Sequence, residues 1–189
     1  MAQGYSIIGH DTYLQWRTNT LGLAFDVDPS FGAGCQCWDY VSEFYYSAGW
    51  GAGYPLTGSN HYASECWTVN RSTNAGNDFD LIYNLSDVQT GDIIVLDGTT
   101  QNPPGHIAFA DEDYDGSGYI WCLGQNQGGT PLPQGGTPVT RNRLGTSNFL
   151  GAFRYKDWHT TPPTPTGGET SKFPWVLYAR KFRNKRNMV

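Results

Sequence analysis

The chain of 189 residues has few charges and no long apolar run. Charged side chains make up 15% of it, and no apolar stretch approaches the roughly 18 residues that a membrane-spanning helix needs. The first residues, MAQGYSIIGHDTY, contain neither the basic nor the apolar region of a secretory signal peptide. We therefore expect no membrane span and no signal peptide, and the length predicts one ordinary domain rather than two.

Cysteine is also scarce. The four cysteines, Cys35, Cys37, Cys66 and Cys122, are too few for a disulfide scaffold in a chain of this length. The Cys35-x-Cys37 pair lacks the C-x₂-C spacing of a structural zinc site. We expect at least one cysteine to be chemically active and the others to be small buried hydrophobic residues.

Basic residues are rare over most of the chain. Six of the twelve precede Ser171, together with all 17 acidic residues, and the other six follow it. Residues 1–171 therefore carry a net charge of −11, which argues against nucleic acid as a partner because its phosphates would be repelled. Residues 172–189 carry +6, which predicts either an interaction segment or a solvated tail.

The composition changes after Trp158. The segment HTTPPTPTGGETS, residues 159–171, holds three prolines, two glycines and five threonines. That mixture is typical of an extended linker. We predict a domain over residues 1–158, a linker over 159–171 and a short basic C-terminal segment over 172–189.

Apolar spacing predicts helices followed by strands. Between Cys37 and Ala48 apolar residues recur at helical intervals, and Gly49 would end that helix. A shorter helix is expected around residues 11–18. Apolar runs bounded by Gly, Pro and Asp turns predict strands, at 93–96, 106–110, 119–123 and 149–155. Helices that precede a mainly antiparallel sheet indicate the α+β class.

Three side chains form a candidate catalytic group. Cys37 stands where a Gly-rich loop meets the predicted helix, and a helix N-terminus favours the thiolate. His106 begins a strand, and Asn126 follows the next one. Antiparallel pairing of these strands would bring His106 and Asn126 together. Papain-like hydrolases use this order of nucleophile, base and orienting residue.

Four motifs in order resemble the CHAP family of cysteine, histidine-dependent amidohydrolases and peptidases. They are DVDPSFGAGCQCWDYV at 26–41, GDIIVL at 91–96, PGHIAFA at 104–110 and IWCLGQNQGG at 120–129. The resemblance extends from about residue 10 to Trp158, which makes 1–158 the expected catalytic domain. It implies a papain-like fold with N-terminal helices packed on an antiparallel sheet. It also implies cleavage of an amide bond in bacterial peptidoglycan, by an endopeptidase or an N-acetylmuramoyl-L-alanine amidase.

The resemblance assigns a role to each candidate. Cys37, preceded by Gln36 as in the family, would be the nucleophile and His106 the general base, while Asn126 would orient the imidazole. Family members often carry a Glu two residues before that Asn, where this sequence has Gly124, so the orienting role falls to Asn126 or Gln125. The loop before the nucleophile is two residues longer than usual and contains Cys35, which is the alternative nucleophile.

The same loop predicts a calcium site. Asp26, Asp28 and Asp39 offer hard carboxylate oxygens, and some CHAP domains are similar in binding calcium through such residues. The carbonyls of Ser30 and Gly32 would complete the shell. The alternative is ordinary: Asp28 starts a turn, and Asp39 caps a helix. For the acidic run at 111–115 we expect a solvated hairpin turn instead of an ion site.

The sequence is also compatible with two other functions. One is a catalytically inactive phage structural or wall-binding protein with the same fold, which the missing Glu favours. Another is an NlpC-type peptidase, which shares the order of Cys and His. Many CHAP domains belong to phage lysins or tail proteins, and the expected lack of a signal peptide favours a phage origin. We therefore expect the protein in the phage virion or in the host cytoplasm before release. Three roles are open for the basic C-terminal segment: docking to a virion protein, attraction to teichoic acids of the cell wall, or a stub of a longer protein.

Overall fold

The computed structural model describes residues 2–3, 5–28 and 34–159. The predicted linker after His159, the basic C-terminal segment, and the carbonyls of Ser30 and Gly32 lie outside these ranges. The helices are α1 (Tyr13–Thr20), α2 (Cys37–Ser47), α3 (Glu65–Thr68), α4 (Arg71–Ala75) and α5 (Lys156–His159). The strands are β1 (Ala2–Gln3), β2 (Phe25–Asp26), β3 (Phe79–Ile82), β4 (Ile93–Leu96), β5 (His106–Ala110), β6 (Tyr119–Gly124), β7 (Thr140–Gly145) and β8 (Phe149–Tyr155).

Six of these strands form one antiparallel sheet in the order β3-β8-β4-β5-β6-β7. β4 pairs with β5 so that Leu96 lies opposite His106, and β5 pairs with β6 so that Phe109 lies opposite Leu123. The α+β class and the antiparallel pairing of β5 with β6 are therefore confirmed. β1 and β2 pair separately, in parallel.

Helix α2 packs against the centre of this sheet. Its buried aromatic residues Tyr40 and Phe44 contact the ring of Phe109 on β5, with centroids 5.3 and 5.2 Å apart. On the opposite face of the sheet, Ile94 and Ala108 belong to a second buried apolar cluster. Because both faces of the central strands are covered, β4 consists of four buried apolar residues in a row. The start of α2 is thereby held over the first residue of β5.

The apolar pattern did not predict β7, the polar edge strand of the sheet. Strand β7 alternates between half-buried and exposed residues, and its sequence TRNRLG contains two arginines. Such an edge strand carries no apolar run to detect, since charge on an edge strand protects it from further pairing. The short elements α3, α4 and β3 lie between Glu65 and Ile82, where the apolar spacing predicted neither a helix nor a strand.

The acidic run at 111–115 is only partly the solvated turn that we expected. The carboxylate of Asp111 is 4% exposed and accepts hydrogen bonds from Tyr13 Oη, at 2.7 Å, and from the guanidinium groups of Arg17 and Arg141. It ties α1 and β7 to the end of β5. Among the described residues, none of the helices has the length and apolar character to cross a bilayer.

Candidate active site

The N-terminus of α2 is capped by a side chain from its own first turn. Gln36 is the N-cap, and its backbone N–H donates to Asp39 Oδ2 at 2.7 Å, which is half of a capping box. The predicted cap role of Asp39 is therefore present in the structure. Cys37 is the first residue of the helix and is 9% exposed. Its thiol lies at the positive end of the α2 dipole, which favours negative charge.

His106 lies against this thiol. It begins β5 directly after Gly105, whose φ is 72° and whose missing Cβ would lie 2.4 Å from the carbonyl oxygen of Leu96. Only glycine fits this turn. The His106 imidazole and the backbone of Ile107 lie close enough to the Cys37 thiol to influence its ionisation. The structure therefore brings the predicted nucleophile and base together.

The two groups change each other's acidity. Burial opposes ionisation of the Cys37 thiol, but the charge and hydrogen bond of His106 outweigh it, so the pKa of Cys37 is lower than usual. Burial likewise opposes the imidazolium form, but Cys37 and a second hydrogen bond outweigh it, so the pKa of His106 is raised. Opposite shifts in a contacting pair favour a thiolate beside an imidazolium.

Cys35 has a different environment. Its Sγ accepts a hydrogen bond of 3.3 Å from Gln134 Nε2, and its backbone forms a bridge with Gly136. Burial raises the pKa of this thiol. The geometry that activates a nucleophile is thus found at Cys37, two residues along the chain.

The third group at the site is Gln127, which corrects our prediction of Asn126. His106 Nε2 lies 3.0 Å from Gln127 Oε1, whereas Asn126 Nδ2 donates to Gln36 Oε1 at 2.7 Å. The β5–β6 register, if continued, would set Asn126 opposite His106. However, β6 ends at Gly124, and Asn126 has a left-handed φ of 53°. This turn directs the Asn126 amide to the N-cap residue.

Gln125 is not the orienting residue either. Its buried side chain accepts from the backbone N–H of Phe25 at 2.7 Å and donates to the carbonyl of Phe25 at 2.9 Å. A third bond, of 3.2 Å, reaches the carbonyl of Gln36. Gln125 therefore joins β2 and the residue before Cys37 to the end of β6. Residues 125–127 are three adjacent amide side chains, Gln-Asn-Gln, and nothing in the local sequence indicates which of them faces His106.

The three predicted calcium ligands lie together. One carboxylate oxygen each from Asp26, Asp28 and Asp39 falls within a group whose members are at most 4.8 Å apart. Burial and the negative charges of Asp28 and Asp26 together raise the pKa of Asp39 to about 7, although the backbone hydrogen bonds from Gln36 and Val27 act in the opposite direction. Burial also raises the pKa of Asp28, whose carboxyl group shares a hydrogen bond with Asp39. Three adjacent carboxylates of this kind need a proton or a cation between them.

Comparison with known proteins identifies the family. The family model described as the CHAP domain matches residues 27–126, which is more than half of the chain. The chain belongs to the CHAP domain family. This result confirms the predicted resemblance and decides against the NlpC-type alternative.

Two CHAP-related proteins give the extent of the likeness. A protein named D-alanyl-L-alanine endopeptidase, from Streptococcus phage B30, is 38% identical over 121 residues, which cover 62% of this chain and 25% of that protein. The match therefore spans about a quarter of that relative. The crystal structure of a wild-type endolysin, LysIME-EF1, superposes with a TM-score of 0.57 at 20% identity, over 76% of this chain and 62% of that one. It shows that the two share the predicted papain-like CHAP fold.

Proposed function

We propose that this CHAP domain is a phage-encoded peptidoglycan hydrolase that cleaves an amide bond with Cys37 as nucleophile and His106 as base. The observation that carries the proposal is the contact between the thiol and the imidazole at the start of α2, with opposite pKa shifts. The phage relative, by its name, cleaves a peptide bond next to D-alanine. We extend that substrate class, bacterial peptidoglycan, to this chain.

The geometry supports acyl transfer. The Cys37 thiolate attacks the carbonyl carbon of the scissile amide, and the backbone N–H groups at the start of α2, including that of Cys37, stabilise the oxyanion. The imidazolium of His106 protonates the leaving amine as the C–N bond breaks, which leaves a thioester. His106 then takes a proton from water, the resulting hydroxide attacks the thioester, and the carboxylic acid leaves as the thiolate is regenerated.

The test is digestion of purified peptidoglycan. Wild-type protein should release new amine and carboxyl termini, and mass spectrometry of the fragments identifies the bond as a stem peptide, a cross-bridge or the sugar–peptide amide. Cys37→Ala should lose activity by a factor of at least about 10³, as expected when a nucleophile is removed. Cys35→Ala is the matched control and should keep most of it. Full activity in Cys37→Ala would overturn the assignment.

The non-catalytic alternative predicts a different result. A wall-binding protein with this fold would sediment with peptidoglycan and release no termini. The sequence favoured it through Gly124, where the family often has Glu. The hydrogen bond between His106 and Gln127 gives the imidazole a polar partner in place of that Glu, so the enzymatic proposal is preferred.

We propose calcium as a ligand of Asp26, Asp28 and Asp39. Support comes from the carboxylate group described above and from Asp26 Oδ1, a buried oxygen that lacks a hydrogen-bond partner among the described residues. Hard carboxylate oxygens suit this ion. When bound, calcium would neutralise the three charges and fix the loop that precedes Cys37. Binding of calcium measured by calorimetry, with Asp28→Asn as the weakened variant, tests this; equal affinity of the two proteins would contradict it.

Further partners remain predictions. We propose that the basic residues 172–189 bind either a virion protein or the anionic cell wall, and that the protein acts in the phage tail or is released from the host cytoplasm. Support comes from the charge difference of the segment, +6 against −11 for the preceding residues. Deleting residues 160–189 should weaken sedimentation with cell walls or virions while digestion of soluble fragments continues. Unchanged binding to both would contradict it.

A further inference from the structure

The side-chain amide of Gln127 makes three hydrogen bonds, and its partners allow only one orientation of the amide. Its Nε2 donates to the carbonyl of Cys122 at 2.9 Å and to the carbonyl of Thr140 at 2.8 Å. Both amide hydrogens are therefore used by carbonyl oxygens that can only accept. The atom left for His106 is Oε1, and it too can only accept, so His106 Nε2 must be the donor in their 3.0 Å contact.

This contact settles the tautomer of the imidazole. With its hydrogen on Nε2, neutral His106 carries its lone pair on Nδ1, the ring nitrogen that remains for Cys37. A base in the opposite tautomer would present N–H to the thiol and could not accept its proton. The amide is 8% exposed, so water competes little for the contact. Because the amide is uncharged, it fixes the tautomer without placing a second anion near the thiolate.

The space that Gln127 occupies is provided by Gly124. A Cβ at residue 124 would lie 2.8 Å from Gln127 Oε1, 3.2 Å from its Cδ and 3.0 Å from the Cβ of Ala108. These distances are too short for either neighbour to stay in place. The glycine at the end of β6 and the glutamine three residues later therefore form one unit: the missing side chain of the first makes room for the amide of the second.

We propose that Gln127 is the positioning residue for His106, with Gly124 required to admit its amide. The assignment rests on the proposed function, in which His106 is the base. It differs from our sequence-based choice of Asn126. Gln127 acts through His106, because its side-chain hydrogen bonds go to the imidazole and to the carbonyls of Cys122 and Thr140.

Two variants disturb the contact from opposite sides. Gln127→Leu keeps the volume but removes the acceptor, and Gly124→Ala keeps the glutamine but displaces its oxygen. Losing a hydrogen bond to a charged group should lower kcat by about 10- to 100-fold in Gln127→Leu. The value of KM should stay within about threefold, since substrate is not contacted. Gly124→Ala should show a smaller loss in the same direction.

The decisive readout does not need peptidoglycan. The rate of Cys37 alkylation by iodoacetamide, followed against pH by mass spectrometry, should reach half its maximum at higher pH in both variants, because the imidazolium that stabilises the thiolate is less well held. The ring nitrogen signals of His106 should show Nε2–H in the wild-type protein and a tautomer mixture in Gln127→Leu. A purely structural role would lower Tm and leave both readouts unchanged.

Gln134→Leu is the matched control, because it removes the amide that contacts Cys35 instead of His106; its alkylation profile for Cys37 should equal that of wild type. An unchanged profile in Gln127→Leu, or a shift in Asn126→Ala in its place, would overturn the proposal. The failures are separable. If the wild-type protein digests no peptidoglycan but the profile still shifts, the proposed function is wrong and the positioning role stands. If digestion occurs and the profile does not shift, the positioning role is wrong.

Discussion

Without the calcium ion proposed above, the stability of the domain should depend on pH through Asp39. Its pKa is raised from 3.8 to about 7, so the folded state holds the proton more strongly than the unfolded state does. The contribution to stability is therefore present below pH 3.8 and is lost as pH rises to about 7. The full cost of the ionised group is about 4 kcal/mol, of which about 3 kcal/mol falls between pH 5 and pH 8.

That cost corresponds to a fall in Tm on the order of 10 °C for a domain of this size. The assay is thermal unfolding at pH 5 and pH 8 of protein passed over a chelating resin, with and without millimolar calcium. Calcium should raise Tm most at pH 8, because there the ion neutralises the repelling carboxylates and stabilises only the folded state. At pH 5 the protons compete with it, and the gain should be smaller.

Two variants isolate the effect. Asp39→Asn keeps an oxygen for the N-cap but cannot ionise, so its Tm without calcium should fall less between the two pH values than that of the wild-type protein. Asp11→Asn removes an exposed carboxylate just before α1 and should behave like wild type. Equal pH dependence of Tm in Asp39→Asn and the wild-type protein, or a Tm at pH 8 that calcium leaves unchanged, would contradict the role given to Asp39.

Three further predictions concern the site and its support. Alkylation of Cys37 should be half-maximal below the usual thiol pKa of 9, and His106→Ala should move it above 9, since burial and the Asp39 charge, which raise the pKa, are then opposed only by the backbone of Ile107; the pH–rate profile checks both. Arg154→Met should lower the free energy of unfolding by about 3 to 5 kcal/mol in a urea titration, because it leaves the fully buried Asp92 carboxylate with only the backbone N–H of Gln89 and the nearby His159 imidazole. Gly151→Ala should lower Tm, with a cost of about 1 to 3 kcal/mol or more, since its Cβ would lie 2.0 Å from a buried indole ring; a Tm equal to wild type would contradict the packing.

The parts of the fold that were predictable are those with a strong local signal. The helix from Cys37 and the strand at 106–110 have apolar residues at the spacing of their element, and glycines mark their ends. Strand β7 and the short helices α3 and α4 have no such signal, because β7 is a charged edge strand and the helices are four and five residues long. Their positions depend on neighbours that are distant in the sequence.

For the candidate active site, the sequence alone predicted the type of chemistry and the two side chains that the structure places next to each other. A thiol at a helix start and a histidine at the start of a strand were enough to place Cys37 and His106, and the order of motifs was enough to indicate the CHAP family. The choice among Gln125, Asn126 and Gln127 was made only by the tertiary structure. The alternation of side chains along β6 ends at Gly124. The directions of the following side chains therefore depend on the backbone turn and on the space between neighbouring elements. That space is bounded by Ala108 and by two carbonyl oxygens from β6 and β7, which no local pattern around residue 127 records.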